Sequence, residues 1–283
     1  MKRTSRAGLA KETVEISQQG AYTLPDGRVV DIRTLVERCV ASTQHLSPEE
    51  LEQIRARVLA LPASYRETIV EVRNETTIEG IVRLAGNVES TQLGVLNFAS
   101  AKNPGGGFLG GSQAQEESLA RSSALYASLS APVAAEFYTA HREGRSCLYS
   151  DRMILSPSCP VFRYDDGTLM DSPRVVTFIT SAAPNVGAIR QHGGEDLPLV
   201  PETLRRRGEL ILALAADAGC ESLILGAWGC GVFRNDPCLV SRTFADLLSA
   251  GCPWHGRFAK VCFSVLDTSE DLKIFQAFQG TFG

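Results

Sequence analysis

The chain has 283 residues, of which 44% are hydrophobic and 21% charged, with a formal net charge of −4. These values are ordinary for a soluble globular enzyme, long enough to build a core without disulfide staples. The acidic balance argues against a general DNA or RNA binder, which would show a basic face, but leaves room for an anionic ligand held by backbone N–H groups.

The eight cysteines form no C-x-x-C pair and the four histidines are scattered among them, so no metal and no cofactor is expected. Reduced, mostly buried thiols fit a cytoplasmic protein. The N-terminal stretch MKRTSRAGLAKETVEIS lacks an apolar signal core, and the longest greasy run, Leu210–Ala216, is too short for a membrane span.

In chain order, residues 1–65 read as a helical extension. Ser47-Pro48-Glu49-Glu50 is a capping box with proline at the first helical position, followed at helical spacing by Leu51, Ile54, Val58 and Leu61. From Thr68 the pattern alternates strand and helix: strand Thr68–Val72, helix Thr76–Leu84, buried strand Leu93–Phe98, loop Ala99–Ser112, then helices over Gln113–Leu129 and Pro132–Arg142. Apolar runs at Val175–Thr180, Leu223–Ala227 and Lys260–Leu266 are further strands, with helices at Glu202–Ala216, Cys238–Leu248 and Leu272–Phe278. The Arg205–Arg206–Arg207 run reads as a solvated helix face. Such alternation implies an α/β sandwich over residues 66–283, with ligands gathered at the carboxyl ends of the strands. Two glycine-rich loops follow such ends, after Leu93–Phe98 and after Leu223–Ala227.

The first loop holds five glycines in the seven positions 105–111, more than a structural turn needs. Gly105-x-Gly107-x-x-Gly110 matches the dinucleotide fingerprint formally, but the helix starts too late and residues 125–135 hold no acidic partner. No Gly-Lys-Ser/Thr follows, which excludes a Walker loop. Glu116-Glu117 then falls in the first turn of the next helix, where acidic residues are favoured in any case. Neighbours on a helix point about 100° apart, so the pair cannot straddle a glycosidic bond as two opposed acids do; one carboxyl must do most of the proton work.

These residues resemble the signature of the microbial-type poly(ADP-ribose) glycohydrolases of the macrodomain superfamily: Gly105-Gly106-Gly107, seven residues, then Gln115-Glu116-Glu117. The flanks Asn74–Thr77, Leu96–Asn103, Arg121–Tyr126, Tyr149–Asp151, Ala182–Asn185 and Gly226–Phe233 are similar as well. The resemblance implies a macrodomain-like three-layer α/β/α sandwich with a mixed central sheet. It also implies hydrolysis of the ribose–ribose bonds of poly(ADP-ribose), with that polymer and ADP-ribosylated proteins as partners of a monomeric enzyme. By resemblance Glu117 is the general acid and then base, and Glu116 holds ribose hydroxyls. Asn103 contacts the distal ribose, the Gly105–Gly107 backbone crowds the reacting centre, and Gln115 and Thr76 join the substrate site. The second loop supplies Gly229, Cys230, Gly231, Val232 and Phe233. Its glycines expose successive N–H groups suited to a diphosphate. Three rivals remain at this stage: a non-catalytic ADP-ribose reader, a hydrolase for mono-ADP-ribosylated side chains, and a Rossmann oxidoreductase.

Overall fold

The computed structural model describes residues 1–85 and 92–283. The strands are β1 (Ala21–Thr23), β2 (Val29–Asp31), β3 (Gln44–Leu46), β4 (Ile69–Arg73), β5 (Leu93–Phe98), β6 (Met153–Arg163), β7 (Leu169–Ser181), β8 (Ser222–Leu225) and β9 (Lys260–Ser264). The helices are α1 (Arg3–Gln19), α2 (Arg33–Ala41), α3 (Pro48–Leu59), α4 (Thr77–Leu84), α5 (Gln115–Ser122), α6 (Leu125–Leu129), α7 (Ala135–Glu143), α8 (Val186–Gln191), α9 (Val200–Asp217), α10 (Pro237–Leu248) and α11 (Lys273–Phe282). No helix among the described residues is long and apolar enough to cross a membrane.

Among the described residues one sheet has seven strands in the order β3-β6-β7-β5-β8-β9-β4. The run from β7 to β4 is parallel, and β6 and β3 are added antiparallel at one edge. Successive side chains of a strand leave opposite faces, and the central strands are apolar on both. Leu96, Ile179, Leu223, Leu225 and Phe263 enter a core shared with α3, α9 and α10. Val95, Val176, Phe178 and Ile224 enter the other, shared with α2, α4, α5 and α7. Helices therefore cover both faces of a mixed sheet, the expected three-layer sandwich.

Local chemistry sets several boundaries. Ser47 and Glu50 close the capping box at α3, and Thr76 and Glu79 close a second at α4. Three differences from the sequence reading stand out. Residues 1–65 carry more than helix: β1 and β2 form a hairpin, and β3 joins the central sheet beside β6. The helix expected over Gln113–Leu129 is broken at Ser123, whose hydroxyl donates to the Leu119 carbonyl (2.6 Å) and accepts from the Leu125 N–H (3.2 Å). That side chain competes with the helical ladder. Third, Arg207 does not lie on a solvated face. It is fully buried and its Nε donates to Asp151 Oδ1 at 2.9 Å, while its Nη1 reaches the carbonyls of Ala182 (2.6 Å) and Leu148 (3.1 Å).

Candidate active site

The site begins where the sheet opens. The β5–β8 ladder ends at Val95–Ile224, while the β5–β7 ladder runs on to Phe98–Ser181. Gln115 takes over the freed edge of β5: its Oε1 accepts from the Phe98 N–H (2.9 Å) and its Nε2 donates to the Leu96 carbonyl (2.8 Å). The first residue of α5 is thus bolted to the end of a core strand, and the next two residues are the glutamates. A cleft of about 630 Å³ opens at this point, walled by the segments after β5, β8 and β9. That is where open α/β sheets bind ligands.

Glu116 is buried beneath the cleft floor. Its Oε1 accepts from Asn97 Nδ2 (3.1 Å) and its Oε2 from the Ser100 N–H (2.7 Å). Burial outweighs both donors and pushes its pKa up to about 8. Glu117 is half-buried, and its Oε1 accepts from the Gly107 N–H at 3.0 Å. Its other oxygen has no protein partner among the described residues. Gly106 passes directly over the pair in a left-handed conformation (φ 58°), and a Cβ there would sit 2.4 Å from Glu117 Oε1. Only glycine fits at that approach.

The second loop is tied down from below. Trp228 Nε1 donates to the Ser181 carbonyl (3.1 Å), and Asn235 Nδ2 donates to the carbonyls of Pro184 (2.8 Å) and Gly229 (3.1 Å). The N–H groups of Gly231, Val232 and Phe233 have no acceptor among the described residues. Successive N–H groups of this kind are the material from which anion nests are built. Phe233 leans on Tyr149 with ring centroids 5.9 Å apart. Burial pushes the Cys230 thiol up to about 12, so it is an inert part of the wall.

The chain shares this arrangement with known proteins. Residues 10–164 match the family model described as microbial-type PARG, catalytic domain. The chain belongs to the microbial-type poly(ADP-ribose) glycohydrolase family. It is an enzyme, a glycosidase that hydrolyses poly(ADP-ribose). The crystal structure of poly(ADP-ribose) glycohydrolase from Thermomonospora curvata is 46% identical, covers 99% of this chain and 100% of its own, and superposes with a TM-score of 0.92. The same protein bound to the inhibitor ADP-HPD matches at 46% identity over 99% and 100% of the two chains, with a TM-score of 0.89. Poly(ADP-ribose) glycohydrolase from Deinococcus radiodurans, in complex with ADP-ribose, matches at 44% identity over 89% of this chain and 98% of its own, with a TM-score of 0.83. No curated protein matches the chain.

Of the residues singled out from sequence, Thr76, Asn103, Gly106, Gly107, Gln115, Glu116, Glu117 and the run Gly229–Phe233 all line this glycohydrolase cleft. Gly105 does not. It is buried behind the wall, and a Cβ there would meet the Phe108 ring at 3.0 Å. Thr76 caps α4 and donates its hydroxyl to Asp165 (2.6 Å), and the Gln115 amide is spent on β5 and, at 3.3 Å, on Thr77. Sequence reasoning missed Asp165 in the β6–β7 turn and Ile274 on α11, which also line the cleft. Ile274 is brought there by Asp267, whose Oδ2 accepts from the Ile274 N–H at 2.8 Å. Neither position carries a motif, and only the folded chain brings them in.

Proposed function

We propose that Glu117 is the acid and base of the hydrolysis and that Glu116 is its fixed neighbour, which holds ribose hydroxyls. Protonated Glu117 gives its proton to the 2′ oxygen of the departing ribose as the C1″–O bond breaks and the distal ribose becomes oxocarbenium-like. The resulting carboxylate takes a proton from water as that water adds to C1″. Free ADP-ribose is released and Glu117 regains its proton.

The observation that carries this reading is the Gly107 N–H bond to Glu117 Oε1. It fixes one oxygen and leaves the other without a protein partner among the described residues, beside a cleft that the Gly231–Phe233 segment also lines. A donor that orients the acid before substrate arrives lowers the reorganisation needed in the reaction. Below about pH 8 Glu116 is held neutral by burial, so Glu117 works beside an uncharged neighbour. Asn103, with its amide unbonded among the described residues, suits the distal ribose. The nest at Gly231–Phe233 suits the diphosphate, and ADP-ribose fills the cleft between them. ADP-ribosylated proteins carrying the polymer are the partners in this reading. The enzyme acts as a monomer in the cytoplasm, an environment that its eight free cysteines suit.

Replacing the acid tests the assignment. Glu117→Gln keeps ADP-ribose affinity within severalfold and loses at least about a hundredfold in turnover, the usual scale of general acid–base catalysis. Calorimetry with ADP-ribose and release of ADP-ribose from polymer measure the two. Turnover like the wild type would remove Glu117 from the chemistry.

A further inference from the structure

Beside Glu117 a smaller hollow of about 280 Å³ runs between α1, α5 and the β6–β7 turn. It shares Thr76, Gln113, Ser118 and Asp165 with the walls of the main cleft, so the two adjoin. Its character is cationic, because Arg6, Arg121 and Arg163 all line it.

Two of these arginines are deeply buried: Arg163 is 2% exposed and Arg121 6%. Arg163 donates through Nη1 to the Gly167 carbonyl (2.8 Å), and its Nη2 lies 3.1 Å from Glu12 Oε2 but out of line for a hydrogen bond. Its Nε is buried with no partner among the described residues. Arg121 spends its donors on neutral acceptors, the Ser112 carbonyl (2.7 Å), the Gln113 side chain and the Ser118 hydroxyl. Neither Arg121 nor Arg6 makes an ion pair among the described residues. Burial pushes the pKa of both Arg121 and Arg163 down. Asp165 is the one carboxylate lining the hollow among the described residues, and Glu12 pairs with Arg163 from outside it, against three guanidinium groups. Buried cations are costly unless paired, so a hollow of this kind is suited to an incoming anion.

The position says which anion. Glu117 and Arg121 are four residues apart on α5, hence on one face and about 6 Å apart along its axis. That offset is comparable to the reach of a single ribose from its 2′ oxygen to its 5′ phosphate. We propose that this hollow binds the 5′ diphosphate of the nucleoside unit on the leaving side of the scissile bond. The enzyme then grips two consecutive units of the polymer, one by the Gly231–Phe233 nest and the next by the arginines. This inference rests on Glu117 being the acid that faces the leaving oxygen.

Two substrates separate the proposal from that underlying reading. One is an ADP-ribose dimer; the other is a truncated analogue whose leaving unit is adenosine without its 5′ diphosphate. At low salt the wild type should favour the dimer by about tenfold or more in kcat/KM, the scale of one charge-assisted hydrogen bond. The preference should shrink as salt rises. Arg163→Met and Arg6→Gln should each reduce the dimer-to-analogue ratio severalfold through KM on the dimer. Equal handling of both substrates by the wild type overturns the subsite and leaves the acid untouched. Parallel losses on both substrates in the variants also overturn it, since they mark a packing role. Should Arg163→Met fail to fold, the half-exposed Arg6→Gln decides. Turnover of both substrates like the wild type in Glu117→Gln overturns the reading of Glu117 and, with it, the subsite.

Discussion

The two glycine-rich loops do the same kind of work by opposite means. In the first, the glycine at the reacting centre is demanded by the chemistry itself: a Cβ on Gly106 would meet Glu117 Oε1 at 2.4 Å. In the second, Gly229 is demanded by the scaffold, because a Cβ there would meet Ala183 Cβ and Asn235 Nδ2, each at 2.5 Å. Two residues further on, a Cβ at Gly231 would meet nothing within 4 Å. The space above Gly231 is open. One loop is shaped by its acids and the other by the protein beneath it, so under the proposed roles damage to them should separate into lost turnover and lost binding.

The largest effect should come from removing the support of the second loop. Arg207 holds Asp151 and three carbonyls of the segments that carry Tyr149 and Ala182, and Tyr149 backs Phe233. Arg207→Met should cost about 3 kcal/mol of stability, as expected when one partner of a buried pair is removed. Arg206, 2.8 Å from the other Asp151 oxygen, limits the loss. Urea unfolding measures it, and ADP-ribose affinity should fall with it. Stability equal to the wild type would mean that the pair does not hold the loop.

Next comes the contrast between the glycines. Gly106→Ala should displace the Glu117 carboxyl and lower turnover by about a hundredfold, matching loss of the acid itself. Gly231→Ala should leave folding intact and weaken ADP-ribose binding severalfold, since its methyl group takes only ligand space. Kinetics and calorimetry on the two variants would collapse the comparison if both lost turnover and affinity in the same proportion.

Much of this was legible before folding. The spacing from Gly105 to Glu117, the strand ending at Phe98 and the cap at Ser47 are local signals, and local signals survive in a sequence. What was hidden depends on distance. β6 went unread because Pro157 and Pro160 and its irregular register interrupt the strand pattern. β3 is three residues long and gains its place only by pairing with β6. Arg207 was misread as part of a charged run, yet it falls at helical spacing between Leu204 and Ile211, on the stripe that the core buries. Its partner Asp151 lies 56 positions away, beyond any local pattern.

The smallest predicted effect probes the difference between the loops through pH. Glu116 is ionised less readily in the folded chain than in the unfolded one, because burial lifts its pKa from 4.5 to about 8. The unfolded state therefore gives up this proton first. The stabilisation is complete below the unfolded value and is lost as pH rises through about 8. His141 works in the other direction: burial lowers its pKa to about 4, so its contribution is complete above 6.5 and is lost toward acid. Between about pH 6.5 and 7.5, below the range where unfolded thiols ionise, the slope should then belong to Glu116. Across that window the wild type should lose stability with rising pH more steeply than Glu116→Gln, whatever the absolute stability of the variant. The Cys230 thiol of the second loop enters only above the window, where the unfolded thiol begins to ionise while burial holds the folded one up to about 12. Parallel slopes for the two proteins would show that the carboxyl beneath the first loop is already ionised at neutral pH. The catalytic glutamate would then work beside a second charge rather than a neutral neighbour.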